Sequence, residues 1–212
     1  MEQSAIIIQR WWKERYALQK VVRYLQQNLD RTILQDLSNK CHAIQNTCKG
    51  DGAGLEGGSY IDRIISEFFE DNLKEYKSHH NGESDMKIFQ TEISLKKISG
   101  PSMIALDWSK NNKPCVRTYF NHPIMIVNLK EQQWWKKKED YTDIVPSGIY
   151  LIDREYCQRN ITLSSNNKTN TLITKESVYQ MLQRSLKQRW FIELPPPNKK
   201  YKFKISNAFS ES

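Results

Sequence analysis

Between His79 and Ile98 the spacing of apolar residues changes from 3.6 to 2, and this switch limits the chain to helices laid on a sheet. Before it the pattern is helical. From Ala5 to about Asp30, Leu18, Val22, Leu25 and Leu29 form one stripe, while Arg10, Lys13, Arg15, Lys20 and Arg23 lie on other faces, which predicts a basic amphipathic helix. A second helix is expected from about Arg31 to Asn46. Between Lys49 and Gly58 stand five of the eight glycines, Gly50, Gly52, Gly54, Gly57 and Gly58, which should break the pattern. Ser59 can then cap a third helix running to about Lys77, with Ile61, Ile64, Ile65, Phe68, Asn72 and Tyr76 on its buried stripe. After a turn at His79 to Ser84, Phe89, Ile93 and Leu95 fall on one side of an extended segment. Ile88, Gln90, Glu92, Ser94, Lys96 and Ile98 fall on the other.

Further strands are expected at Met103 to Trp108, Pro123 to Leu129, Gly148 to Asp153 and Lys199 to Ser206, with a helix from Glu176 to about Arg189. Ser164 to Asn170 reads as an exposed loop, and Pro195-Pro196-Pro197 as a stiff connector. The expected class is therefore α/β (α+β), a mixed β-sheet core flanked by helices. A helical N-terminal region, 1–48, precedes an α/β core, 49–212, whose C-terminal part is basic.

At 212 residues the chain fits one medium domain. A mean hydropathy of −0.72 leaves no run of the ~18 apolar residues that a membrane span needs, and the start MEQSAIII lacks a basic leader. The expectation is a soluble intracellular chain, cytoplasmic or nucleoid/nuclear, and not secreted. Aromatic residues at 11% argue against disorder. Cys41, Cys48, Cys115 and Cys157 lack paired metal-ligand spacings and read as reduced and structural, and His42 beside Cys41 lacks a fourth ligand.

The net charge of +8 favours a polyanionic partner. From Arg184 to Lys204 seven basic residues face the single acid Glu193, whereas from Asp51 to Glu75 seven acids face Arg63 and Lys74. A basic region beside an acidic one suits a protein that holds a phosphate backbone around a metal centre; a plain solvated asymmetry is the alternative.

The informative segment for chemistry is Asp85 to Lys97. Glu92, Ser94 and Lys96 project from one face of an extended chain at steps of roughly 7 Å. A carboxylate, a hydroxyl and an ammonium in a row are costly inside a fold unless they pair with each other, a metal or a ligand. Asp85 stands just upstream and can supply a second oxygen, so that two carboxylates form a Mg²⁺ site and a lysine acts on an attacking water. An exposed hairpin with a salt bridge is the competing reading.

These residues resemble the PD-(D/E)xK nuclease superfamily, which includes many type II restriction endonucleases. There an aspartate near the start of one strand is followed by acid-x-lysine on the next strand of a hairpin. Asp85 matches the aspartate and Lys96 the lysine. Ser94 stands where the pattern has an acid, and Glu92 lies two residues further back on the same face. Either Glu92 is a displaced metal ligand or the centre is altered. The family also draws an acid from the helix before the hairpin, which the resemblance carries to Glu67. The resemblance covers roughly Tyr60 to Trp108. It implies a metal-dependent endodeoxyribonuclease in which Asp85, Glu92 and Glu67 hold Mg²⁺, Lys96 orients the water, double-stranded DNA is the substrate and the enzyme is a homodimer.

Ser94, Lys97, Lys136, Lys137, Lys138, Arg184, Lys187, Arg189, Lys199 and Lys200 would then contact nucleic acid. Trp134-Trp135 beside Lys136 to Lys138 suits stacking on bases or burial in a core. Asp107 at a strand end, His122, and His79-His80 in a polar loop are weaker candidates. Ala5 to Lys13 resembles the start of an IQ motif in degenerate form, since Glu14 replaces its glycine and Leu18 its basic residue. The alternative function is accordingly a non-catalytic nucleic-acid-binding or scaffold protein, with a calmodulin-like partner docked on its N-terminal helix.

Overall fold

The computed structural model describes residues 2–47, 53–106, 120–135, 142–166 and 170–201. Three helices come first: α1 (Glu2–Asn28), α2 (Arg31–Thr47) and α3 (Ala53–Asn72). The strands β1 (Tyr76–Asn81), β2 (Ser84–Ile88), β3 (Thr91–Ile98), β4 (Ile104–Leu106) and β5 (Ile124–Asn128) follow. Then come β6 (Gln132–Trp135), β7 (Thr142–Val145), β8 (Gly148–Ile152), α4 (Arg154–Asn160), β9 (Leu163–Asn166), β10 (Asn170–Ile173), α5 (Lys175–Gln188) and β11 (Phe191–Glu193).

Six strands form one mixed sheet in the order β1-β2-β3-β5-β8-β11. Its neighbours are antiparallel except for β3 and β5, which run parallel with Ser94 opposite Ile124 and Lys96 opposite Ile126. Every residue of β5 and β8 is buried, as central strands covered on both faces require. A three-stranded sheet, β4-β10-β9, and the β6–β7 hairpin stand apart from it.

Two layers of side chains flank the main sheet. On one face Leu18, Val22, Leu25 and Leu29 of α1 pack with α2, α3 and the sheet residues Met86, Ile88, Ile93, Met125 and Ile149. The apolar stripe of α1 is thus buried within its own chain. On the other face Cys157 of α4 and Val178, Met181 and Leu182 of α5 cover Ile124, Ile126, Tyr150 and Ile152. At the far edge a Cβ on Gly148 would overlap the Phe191 ring and lie 2.6 Å from the Ile192 carbonyl oxygen, so β8 and β11 need glycine there.

Four expectations are corrected. The third helix starts at Ala53, inside the glycine cluster, and ends at Asn72, whose side chain donates to the Phe68 carbonyl oxygen at 2.8 Å. Tyr76, which continued the helical spacing, instead opens β1. Ile88 lies on the same face as Ile93, because a turn at Phe89-Gln90 separates two strands where one continuous strand was expected. Phe89 turns the chain with φ +54°, a left-handed conformation held by its N–H donating to the Glu75 carbonyl oxygen and by the Lys20 ammonium 4.1 Å above its ring. Finally, Ser164 to Asn166 and Asn170 lie in the paired strands β9 and β10 rather than in a loop, and 167–169 lie outside the described residues. Lys202 to Ser206 lie outside the described residues, and no strand occurs at 199–201.

Candidate functional site

The register of β2 and β3 decides which side chains meet. Met86 is opposite Ile93 and Lys87 opposite Glu92. Met86 and Ile93 are buried beneath the N-terminal helices, so the alternate residues Asp85, Lys87, Glu92, Ser94 and Lys96 project from the other face. The sequence expectation that Glu92, Ser94 and Lys96 share a side agrees with this arrangement. Asp85 joins them from the neighbouring strand, directly beside Ser94.

Asp85 is held by one oxygen. Its Oδ2 accepts the Leu95 N–H at 2.7 Å and the Ser94 hydroxyl at 3.3 Å. The β2–β3 ladder runs no further than Met86–Ile93, so the carboxylate takes over the next N–H of β3. Oδ1 accepts no hydrogen bond among the described residues. Ser94 is fully buried, while Asp85, Glu92 and Lys96 are half-buried.

Glu92 has partners that the sequence did not announce. Its Oε1 lies 3.5 Å from His79 Nε2 and 3.8 Å from Lys87 Nζ, and its Oε2 lies 3.5 Å from His122 Nε2. These are ion-pair separations when the imidazoles are protonated, too long for good hydrogen bonds; His79 Nε2 is screened from solvent and makes none. His122 is placed in turn by Glu83, a buried acid in the β1–β2 turn. Glu83 accepts the Asn121 N–H at 2.7 Å, the Asn121 Nδ2 at 2.9 Å and the His122 N–H at 3.2 Å. One carboxylate therefore fixes the segment that leads into β5. In sequence Glu83 is only an acid beside Gly82, whose φ of +63° makes the turn.

A cavity of about 210 Å³ opens beside this cluster, between Glu14 and Arg15 of α1, Glu92, His122 and the start of α4. Arg154 crosses it to donate to both oxygens of Glu14, at 2.6 and 2.8 Å.

Other candidates lie elsewhere. Glu67 sits on the outer side of α3, accepting from Arg63 Nε at 2.8 Å and 47% exposed, whereas Ile64, Ile65 and Phe68 of that helix pack on the opposite face of the sheet. The structure does not bring Glu67 to Asp85. Lys97 points to the helical face and pairs with Asp62 of α3. Arg184 donates to Asp153 Oδ2 at 3.2 Å and stacks on Tyr156, its guanidinium 4.7 Å from the ring centre. Lys187, Arg189, Lys199 and Lys200 are exposed. Trp134 and Trp135 end β6, and Lys136, Lys137, Lys138 and Asp107 lie outside the described residues. Among the described residues no three His, Cys, Asp or Glu side chains are gathered at metal-ligand spacing. Cys41 and Cys157 are buried free thiols; burial pushes the first up to about 12 and the second well above the usual value.

No family model matches the chain, and no curated protein matches it. A solved structure described as a restriction endonuclease in complex with substrate DNA superimposes with a TM-score of 0.50, covering 96% of each chain at 18% sequence identity. That likeness is one of fold, and the mixed six-stranded sheet between helical layers is of the restriction-endonuclease-like kind. No helix among the described residues is long and apolar enough to cross a membrane.

Proposed function

We propose that the chain is a divalent-metal-dependent DNA endonuclease that hydrolyses phosphodiester bonds in double-stranded DNA, in the manner of a restriction enzyme and as a homodimer. One observation carries this reading. Asp85, tethered by a single oxygen, shares a partly exposed sheet face with Glu92, Ser94 and Lys96, in a fold like that of a DNA-cleaving protein.

The donor set fits Mg²⁺, which needs one or two carboxylates and keeps several waters. Asp85 offers an oxygen that accepts no hydrogen bond among the described residues, and Glu92 offers a second carboxylate on the same face. Glu67 is left out of the proposed set because its helix covers the other face. When bound, the ion polarises the scissile phosphate and acidifies a water. Lys96 orients that water and offsets negative charge as it develops on the phosphate. The Ser94 hydroxyl and the Leu95 N–H hold Asp85 in place, and His79, Lys87 and His122 hold Glu92.

The test is conversion of supercoiled plasmid to nicked or linear form in Mg²⁺ or Mn²⁺. The parent chain should cut and Glu92→Ala should not; a parent that never nicks, or a variant that nicks as well as the parent, removes the enzymatic reading. A second reading, a non-catalytic nucleic-acid-binding module, is favoured by the partners already around Glu92, the Lys87 ammonium and the imidazoles of His79 and His122. It predicts DNA binding without cleavage.

A further inference from the structure

We propose that Lys77 and Lys87, opposite one another on β1 and β2, form a binding site for a DNA backbone phosphate next to the one presented to Asp85. The inference rests on the DNA-binding reading above and adds a site to it.

The register sets Lys77 against Lys87, between the pairs Tyr76–Ile88 and Ser78–Met86. Tyr76, Met86 and Ile88 are buried against the helices, so the two ammonium groups project from the face that carries Asp85, Glu92 and Lys96. Side chains directly opposite on antiparallel strands stand about 5 Å apart at Cβ, and like charges in that position destabilise the pair. The chain offsets only part of this repulsion. Lys87 Nζ is 3.8 Å from Glu92 Oε1, a carboxylate shared with His79 and His122. Lys77 is exposed and makes no ion pair among the described residues. One ammonium group thus shares its carboxylate with two imidazoles while the other has no carboxylate among the described residues, and an anion seated between the lysines relieves their repulsion.

Position selects the anion. Asp85 and Lys87 are alternate residues of one strand, so their side chains leave the sheet about 7 Å apart. A strand of DNA with one phosphate at Asp85 would run its neighbour over the lysine pair. Lysine suits this role because it meets phosphate as a point charge without demanding a base sequence. β1 is the edge of the sheet, so the backbone can pass outward over Lys77.

The experiment is fluorescence anisotropy with a short mixed-sequence duplex in EDTA, so that binding is read without cutting, over a series of salt concentrations. Each phosphate contact contributes about 0.9 to the slope of log affinity against log salt. Lys77→Ala should weaken binding and lower the slope by about 0.9, the double variant Lys77→Ala/Lys87→Ala should lower it by about 1.8, and Lys77→Arg should restore the parental slope. Lys74→Ala, an equal loss of charge just before β1, should leave the slope unchanged. A parental slope in Lys77→Ala, or the same fall in Lys74→Ala, overturns this inference while DNA binding stands. A parent chain that does not bind the duplex at all overturns the functional reading as well.

Discussion

Asp85 separates the structural from the chemical part of the account, because asparagine and alanine at this position remove different things. Alanine deletes the acceptor of the Leu95 N–H, 2.7 Å away, and of the fully buried Ser94 hydroxyl, 3.3 Å away. The part-buried Leu95 donor left unmade costs about 1–3 kcal/mol and the lost Ser94 hydroxyl bond about 1 kcal/mol more, so Asp85→Ala should lose about 2–4 kcal/mol of stability. Asparagine keeps an oxygen where Oδ2 stands. It loses only the charge assistance of the bond, the difference between about 1.5–3 and about 0.5–1.5 kcal/mol, hence about 1 kcal/mol. With a urea m-value of about 2 kcal/mol/M, the alanine midpoint should fall below the asparagine midpoint by roughly 0.5–1.5 M. Plasmid nicking should behave differently. Both variants lack the negative oxygen that faces the cation, so both should lose at least about 100-fold in rate. Equal urea midpoints would refute the claim that the carboxylate closes the β2–β3 ladder. Parental nicking by Asp85→Asn would refute its role toward the metal.

Three further outcomes are expected. Glu83→Ala strands the Asn121 and His122 N–H groups and should cost about 3 kcal/mol in urea unfolding; a loss below about 1 kcal/mol would mean that the segment before β5 is fixed by something else. Gly148→Ala drives a methyl into the Phe191 ring and the Ile192 carbonyl oxygen and should lower stability by about 1–3 kcal/mol, whereas Gly100→Ala, with no atom near its Cβ, should change it far less. Stability should also fall as pH rises from 9 to about 12, because burial raises the Cys41 thiol from 9.0 to about 12 and also raises Cys157 and Tyr150. The sign follows from linkage. Above pH 9 the unfolded chain has released protons that the folded chain retains, so each further unit favours unfolding. A flat thermal midpoint between those limits would contradict it.

Local pattern carried the sequence reading wherever one segment decides its own structure. Leu18, Val22, Leu25 and Leu29 are buried together because a helix repeats its face every 3.6 residues, and Glu92, Ser94 and Lys96 share a side because a strand alternates. The reading failed where a backbone reversal resets the phase. Phe89 is not a turn residue by type, and only its left-handed φ, held by Glu75 and Lys20, puts Ile88 and Ile93 on one face. Tyr76 fitted the helical spacing and still opens a strand, since burial in the same cluster satisfies either structure. His79 and His122 were weaker candidates by type, but the contacts that gather them, and the part of Glu83 in placing His122, were out of reach for another reason. Their meeting around Glu92 depends on the turn between β1 and β2 and on the segment before β5, contacts across as many as 39 positions of sequence that no local period records.

The claim on which the rest depends is that the Asp85 face takes up a divalent cation, and Mn²⁺ titration of the DNA-bound chain, followed by electron paramagnetic resonance of the free ion, tests it most directly. The account predicts that the parent removes Mn²⁺ from solution at one site per chain and that Asp85→Asn, still folded and still bound to DNA, removes none at that site. Equal uptake by parent and variant, or no uptake by the parent beyond that of DNA alone, would contradict it.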